Sequence, residues 1–213
     1  FHEQKGFISP GQFIPALEKG GYISELDRYM IEKVTGCLDQ RRAEKKRFVP
    51  VSVNLSWMDF YDENMLEWIV RGLKKNNPNE QKIRFEITET SLAAIGENHT
   101  RMLMHLKENG AEILLDDFGS GYSSFGMLQD YDFDILKMDI SFVRNIGVNK
   151  KSESILRAII DMAHQLEIRL VAEGAETEEQ VAFLRANGCD YIQGYYYYRP
   201  IPQEEFRKLL DEM

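Results

Sequence analysis

Cysteine is scarce in this sequence: Cys37 and Cys189 are the only two, and they stand in different kinds of segment without a CxxC spacing. Two such residues build neither a zinc centre nor a disulfide framework, and that usage fits a reducing cytosol. Long apolar runs are missing as well. No stretch approaches the ~18 residues that a membrane-spanning helix needs, and no signal-peptide pattern opens the chain. Positive charge is in deficit, with 26 Lys+Arg against 35 Asp+Glu and a net charge of −9. A duplex nucleic-acid binder needs a basic face, so the charge argues against that class. The signatures GxxxxGK(S/T), HExxH and GxSxG are absent, and the DFG letters of DDFG stand without the HRD, VAIK or Gly-rich loop of a kinase. The four histidines show no ligand spacing. There is no low-complexity segment or internal linker. The chain starts at Phe1 rather than at methionine, which predicts a piece of a longer protein.

What is present is a regular alternation of strand and helix. After two helical segments, one from Ser9-Pro10 to Gly20-Gly21 and one from Ile23 to about Arg42, the pattern predicts strands at Phe48–Leu55, Lys82–Thr88, Ala111–Asp116, Asp134–Asp139, Ile168–Glu173 and Asp190–Gln193. Helices are expected between them at Tyr61–Lys75 (stopped by Asn76-Asn77-Pro78), Asn98–Glu108, Ser123–Gln129, Ser152–Leu166 and Glu178–Ala186, with a closing helix at Gln203–Asp211. The second helix would bury Leu26, Tyr29, Met30, Val34, Cys37 and Leu38. The basic run Arg41, Arg42, Lys45, Lys46, Arg47 sits at its C-terminal end, where cations complement the helix dipole. Several strands are nearly continuous apolar runs, as strands covered on both faces are. Six strand–helix units imply a parallel α/β sheet with right-handed crossovers, either open and doubly wound or a TIM-like barrel. Asn54, Glu86, Asp116, Lys137, Glu173 and Gln193 each end a different strand. A barrel would bring all six to one mouth, which favours it, with its first two units missing or upstream of Phe1.

The chemistry centres on Leu114–Ser124, LLDDFGSGYSS. Asp116 and Asp117 would sit where a strand stops, followed by a glycine-rich loop free to move. Adjacent carboxylates repel unless cations lie between them; alone, the motif could equally be an acidic helix cap. Asn54, Glu86, Asp116 and Asp117 are hard oxygen donors suited to Mg²⁺ or Mn²⁺ rather than zinc. Two such ions about 3.5–4 Å apart clamp a phosphodiester and acidify a bridging water. Lys137 could orient that water or stabilise the phosphorane, or be a core lysine satisfied by an ion pair. Glu173 could hold a metal or water, or simply favour a helix N-terminus. Gln193 could orient the water, and Glu89 could support a nearby loop. The Tyr195–Tyr198 run reads as packing rather than ligand stacking.

The segments FISPGQFIPALEKGG, VSVNLS, FEITET, LLDDFGSGYSS, DILKMDISFV, VAEGAET and GCDYIQGYYYYRPIP, in this order and across essentially the whole chain, resemble the EAL-domain family of cyclic di-GMP phosphodiesterases. The resemblance implies a modified TIM barrel over residues 1–213 as one N-terminally incomplete domain. It also implies metal-dependent hydrolysis of cyclic di-GMP to linear pGpG. By motif, Asn54, Glu86, Asp116 and Glu173 become metal ligands and Asp117 the second-metal carboxylate for two Mg²⁺ or Mn²⁺ ions. Lys137 and Gln193 become the groups that hold the attacking water. Glu89 becomes the anchor of the loop Asp117–Ser124, which links metal occupancy to dimer contacts, with Ser120 in place of the family's threonine. Asp139 and Glu176 are weaker candidates for site support.

The family's Glu-Ala-Leu strand, with its metal-binding glutamate and a following arginine, is not in this sequence; Phe1-His2 resembles the pair just after it. The same resemblance suggests a homodimer, an upstream sensory or GGDEF domain and a cytoplasmic domain that makes no membrane contact itself, although the full-length protein could be membrane-anchored. The alternatives are a non-catalytic EAL domain that binds cyclic di-GMP or a protein partner, and a different metal-dependent barrel enzyme such as an enolase-like lyase.

Overall fold

A computed structural model describes residues 8–75, 83–95, 100–121 and 124–213. Six parallel strands form one sheet in chain order: β1 (Val51–Asn54), β2 (Ile83–Thr88), β3 (Glu112–Phe118), β4 (Ile135–Met138), β5 (Arg169–Glu173) and β6 (Tyr191–Gln193). The order climbs without reversal, so the sheet has no switch point of the doubly wound kind. Every crossover steps the same way and the sheet curls, giving a TIM-like α/β fold. Among the described residues β1 and β6 are its two edges.

The helices are α1 (Pro10–Gly20), α2 (Ile23–Ala43), α3 (Glu63–Lys75), α4 (Glu89–Ile95), α5 (Thr100–Glu108), α6 (Ser124–Asp130), α7 (Ile140–Arg144), α8 (Lys150–Gln165), α9 (Glu178–Ala186) and α10 (Gln203–Glu212), with a 3₁₀ turn at Trp57–Tyr61. Their sequence logic is amphipathic. In α3, Met65, Leu66, Ile69, Val70 and Leu73 fall one turn apart and all are buried. In α8 the stripe is Leu156, Ile159, Ile160 and Ala163, and Asn149 caps the helix by accepting from the Lys151 and Ser152 amides. These stripes cover the outer face of the strands, where Phe85, Ile87, Leu115, Leu136, Met138, Leu170 and Ala172 are fully buried. Each large side chain so removed from water contributes about 1.5–3 kcal/mol. Strand alternation then sends the polar residues of the same strands to the inner face.

Several expectations shift. The first strand pairs only over Val51–Asn54. The third runs two residues beyond Asp116, to Phe118, with a register shift between Leu115 and Phe118 and Asp117 in the left-handed region at φ 57°. The short helices α4 and α7 were not anticipated. Helix α2 buries Ile23, Asp27, Ile31, Leu38 and Arg41, leaving Tyr29 and Met30 exposed; polar contacts of Asp27 and Arg41 turn it away from its apolar stripe. The Tyr195–Tyr198 run, expected to pack, is 39–60% exposed because it follows the edge strand β6. Its rings lean on neighbours instead, Tyr196 edge-on to Tyr197 and Tyr195 under Arg199. Part of the basic run is paired within the domain: Arg41 donates to Asp211 (2.6 Å) and to the Arg47 carbonyl (2.6 Å), and Lys46 also faces Asp211. The helix stop at Asn76-Asn77-Pro78, the starts at Lys82 and Asn98, and Tyr122-Ser123 of the central motif lie outside the described residues. Among those described, no helix is long and apolar enough to cross a membrane.

Candidate active site

Parallel register sets the site. Asn54 pairs with Glu86 across β1–β2, Thr88 with Asp116 across β2–β3, and Glu173 with Gln193 across β5–β6. All stand at, or within two residues of, the C-terminal ends of their strands, the end at which such folds gather their chemistry. Lys137 on β4 is the hub. Its side chain is buried, and its ammonium lies 2.9 Å from Glu86 Oε2, 3.0 Å from Asp116 Oδ1 and 2.7 Å from Glu173 Oε1. One cation thus gathers carboxylates from three strands.

The electrostatics are unbalanced. Burial opposes charge on Lys137, but Asp116, Glu86 and Glu173 outweigh it and hold the ammonium above its ordinary range. Glu173 moves the other way from what a paired carboxylate should. Burial pushes it up, and burial together with the smaller repulsion from Asp116 and Glu86 outweighs the Lys137 contact that pulls it down. The two shifts disagree if the site is treated as one ion pair; they agree once it is seen as several carboxylates sharing a single ammonium. Asp117 is raised too, by burial first and then by Asp116 and Asp139.

The surrounding residues take distinct places. Asp116 Oδ1 also accepts the Asp117 amide at 2.9 Å. Glu89 is buried at the start of α4 and accepts from the Gly121 amide (2.9 Å) and the Gly119 amide (3.4 Å), fixing the turn after β3. Ser120 is exposed in that turn, its amide donating to the Asp117 carbonyl. Asp139 caps α7 by accepting from the Ser141 amide. Asn54 and Gln193 are exposed at the two edges of the mouth. Glu176 is exposed in the loop after β5, where its amide donates to Gln180 Oε1; the structure does not bring its carboxyl to the lysine hub. Two supports escaped the sequence reading. A Cβ on Gly119 would come within 2.5 Å of Phe142, and one on Gly174 would collide with Ile140, so α7 wedges the turns that follow β3 and β5. The alternating apolar residues of ILKMDISFV were the available sign.

The donor set suits a hard divalent cation: carboxylates and an amide oxygen, without histidine or thiolate. The three carboxylates already converge on a cationic point, and their excess negative charge is what a metal would neutralise. The fit lies in donor chemistry and convergence. Among the described residues no three such side chains surround an open position, because Lys137 holds the centre.

Compared with known proteins, residues 1–200 match the EAL domain model. The chain belongs to the EAL domain family. It is 36% identical over 205 residues to the signaling protein YkoW of Bacillus subtilis, covering 95% of this chain and 25% of that protein. It is 32% identical to the cyclic di-GMP phosphodiesterase NbdA of Pseudomonas aeruginosa, over 98% of this chain and 27% of NbdA. The chain therefore spans about a quarter of the length of these relatives. Among solved structures, the PaMucR phosphodiesterase in complex with c-di-GMP superposes with a TM-score of 0.83 at 31% identity, covering 96% of this chain and 83% of that one.

Proposed function

We propose that this EAL domain is a metal-dependent phosphodiesterase that hydrolyses cyclic di-GMP to linear pGpG. The observation that carries the proposal is the convergence of Glu86, Asp116 and Glu173 on Lys137 Nζ with negative charge in excess. Asn54, Glu86, Asp116, Asp117 and Glu173 would hold two Mg²⁺ or Mn²⁺ ions. When bound, such ions supply Lewis-acid charge at the scissile phosphate and an acidified water. The protein's own groups do the rest. Lys137 keeps its proton and donates toward the water or the developing charge on phosphorus. Gln193 orients the water from the opposite edge. Glu173, 2.7 Å from the Lys137 ammonium, would hold a metal or the water beside that lysine. Glu89 holds the turn after Asp117 and so carries site occupancy outward, with Ser120, Asp139 and Glu176 as surrounding polar support.

The remainder of the proposal concerns context. Residues 1–213 act as one domain of a longer cytoplasmic or membrane-anchored protein with a sensory or GGDEF segment, working as a homodimer. A second reading, in which the domain binds cyclic di-GMP or a partner without hydrolysis, is favoured by one feature: the ammonium occupies the point where the carboxylates meet. Turnover of cyclic di-GMP with Mg²⁺ or Mn²⁺, against an EDTA control and Glu86→Ala, decides between them. Metal-dependent pGpG lost in the variant supports hydrolysis; saturable binding without turnover supports the second reading.

A further inference from the structure

A second group of carboxyls lies just behind the β1 edge of the mouth, and the mechanism above does not use it. Asp27 comes from the second turn of α2 and is 6% exposed; Asp59 comes from the 3₁₀ turn and is fully buried. Both grip one amide. Ser56 N–H donates to Asp59 Oδ2 at 2.8 Å and to Asp27 Oδ2 at 3.2 Å, and the Ser56 hydroxyl donates to Asp59 Oδ2 at 3.1 Å. Capping the turn explains Asp59, which completes a capping box with Ser56. It does not explain Asp27, a second buried carboxyl brought to the same nitrogen from another element.

Among the described residues no cation pairs with either of them. The turn is packed by α2, α3 and α4, and Arg28, Lys33 and Arg71 of those helices are engaged elsewhere, Lys33 over the Tyr29 ring. Arg28 pairs with Glu32, Arg71 with Glu67, Asp62 caps α3, and Glu89 holds the Gly119–Gly121 turn. Asp59 Oδ1 has no hydrogen-bond partner. The groups that act on Asp27 are Asp59 and Ser56, and burial first, then Asp59, push its carboxyl up to about 8. Two buried carboxyls that meet at one amide, with no cation beside them among the described residues, are stable together when they carry a proton.

We propose that Asp27 and Asp59 share one proton and thereby clamp the exit of β1 against α2, acting as positioning residues for Asn54 and as a proton-sensitive latch on that side of the mouth. The spacing gives the latch its reach. Ser56 lies two residues after Asn54, and the intervening Leu55 amide donates to the Glu86 carbonyl at 2.9 Å. Loss of the proton to solvent leaves two like charges on either side of the Ser56 amide, and their repulsion separates α2 from the strand end. The latch holds at neutral pH and releases on the alkaline side.

The test uses Asp27→Asn, whose amide hydrogens reproduce the protonated carboxyl permanently. Urea unfolding of both proteins between pH 5 and 9 gives the ratio of their folding constants. Because the native protein holds a proton the unfolded chain has lost, the ratio of variant to wild type should rise with pH, by up to about tenfold per unit, and level off above about pH 8. A ratio that does not change with pH overturns the shared proton. Hydrogen exchange at the Ser56 amide gives a second readout in the folded protein: protection should fall in the wild type above pH 8 and persist in the variant. Equal protection in both overturns the clamp. The positioning role rests on the phosphodiesterase reading and is checked by pH–rate profiles with Mg²⁺. The variant should keep its alkaline activity where the wild type declines, and superimposed profiles overturn that role. If neither protein hydrolyses cyclic di-GMP, the phosphodiesterase reading fails while the unfolding ratio still decides the shared proton.

Discussion

The inner face of the sheet carries an ionic network at each end, and the two are built in opposite proportion. At the C-terminal mouth one ammonium, Lys137, serves Glu86, Asp116 and Glu173. At the N-terminal end one carboxylate, Glu112 on β3, serves two guanidiniums: Arg84 on β2 at 2.5 Å and Arg169 on β5 at 2.6 Å. Leu114, Ile135 and Val171 share their face and lie between the two layers. The glutamates of the two layers respond in opposite directions. Burial raises both, but the arginines overcome it and bring Glu112 below its ordinary value, whereas Glu173 stays raised. The lower network is satisfied and acts in stability. The upper one lacks positive charge, and an unsatisfied cluster at a strand-end mouth is where function is expected.

Substitutions can separate these roles. The largest effect should come from Lys137→Met, which removes the cation common to all three carboxylates. Turnover of cyclic di-GMP should fall by roughly 10²–10³-fold, and a steady-state assay checks it. Glu86→Gln should abolish turnover while leaving unfolding free energy unchanged or higher by up to about 1 kcal/mol, since it relieves repulsion. Glu112→Gln should do the reverse, costing about 1 kcal/mol for a partly exposed pair with turnover per folded molecule retained. Urea melts beside the activity assay test both; a stabilised Glu112→Gln would erase the contrast.

Metal addition sharpens it further. Mg²⁺ or Mn²⁺ at a hundredfold over its dissociation constant should stabilise the wild type by about 2.7 kcal/mol, read as a rise in Tm. Glu112→Gln should keep that rise and Glu86→Gln should lose most of it.

The smallest effect is in pH dependence. Glu112, depressed in the fold, contributes stability that is present above the ordinary glutamate value of 4.5 and is lost as pH falls through its folded pKa. Glu173, raised, behaves oppositely: its contribution is intact below 4.5 and is lost as pH rises through its folded pKa. The stability advantage of wild type over Glu112→Gln should therefore shrink in acid. The advantage of Glu173→Gln over wild type should grow as pH rises from acid. Denaturant titrations of metal-free protein at several pH values test both signs.

The six strands were legible because each combines an apolar run with a polar residue at its end, and the monotonic order then followed from the convergence of those ends. The lysine hub was legible as residue types but not as a geometry, since Lys137 could have served the core equally well. Helix α4 escaped notice because seven residues give no measurable period and it begins directly at Glu89, without a linker. The bulge at Asp117 leaves no periodic trace; it is a single backbone angle. The N-terminal network was missed although a sign existed. Arg84, Glu112 and Arg169 stand two or four residues before Glu86, Asp116 and Glu173, which is the parity of one strand face.

The contact between Arg41 and Asp211 joins residues 170 positions apart in sequence. Helix α10 is thereby strapped to the far end of α2, the helix that leads into the opposite edge of the sheet. A ring of local strand–helix units could otherwise form progressively as the chain emerges. This strap ties completion of α2 to α10, made much later in the chain, which raises the entropy cost of closure and delays it. On the ribosome, α2 should remain without its partner until α10 has been synthesised, and chaperone demand should concentrate in that interval.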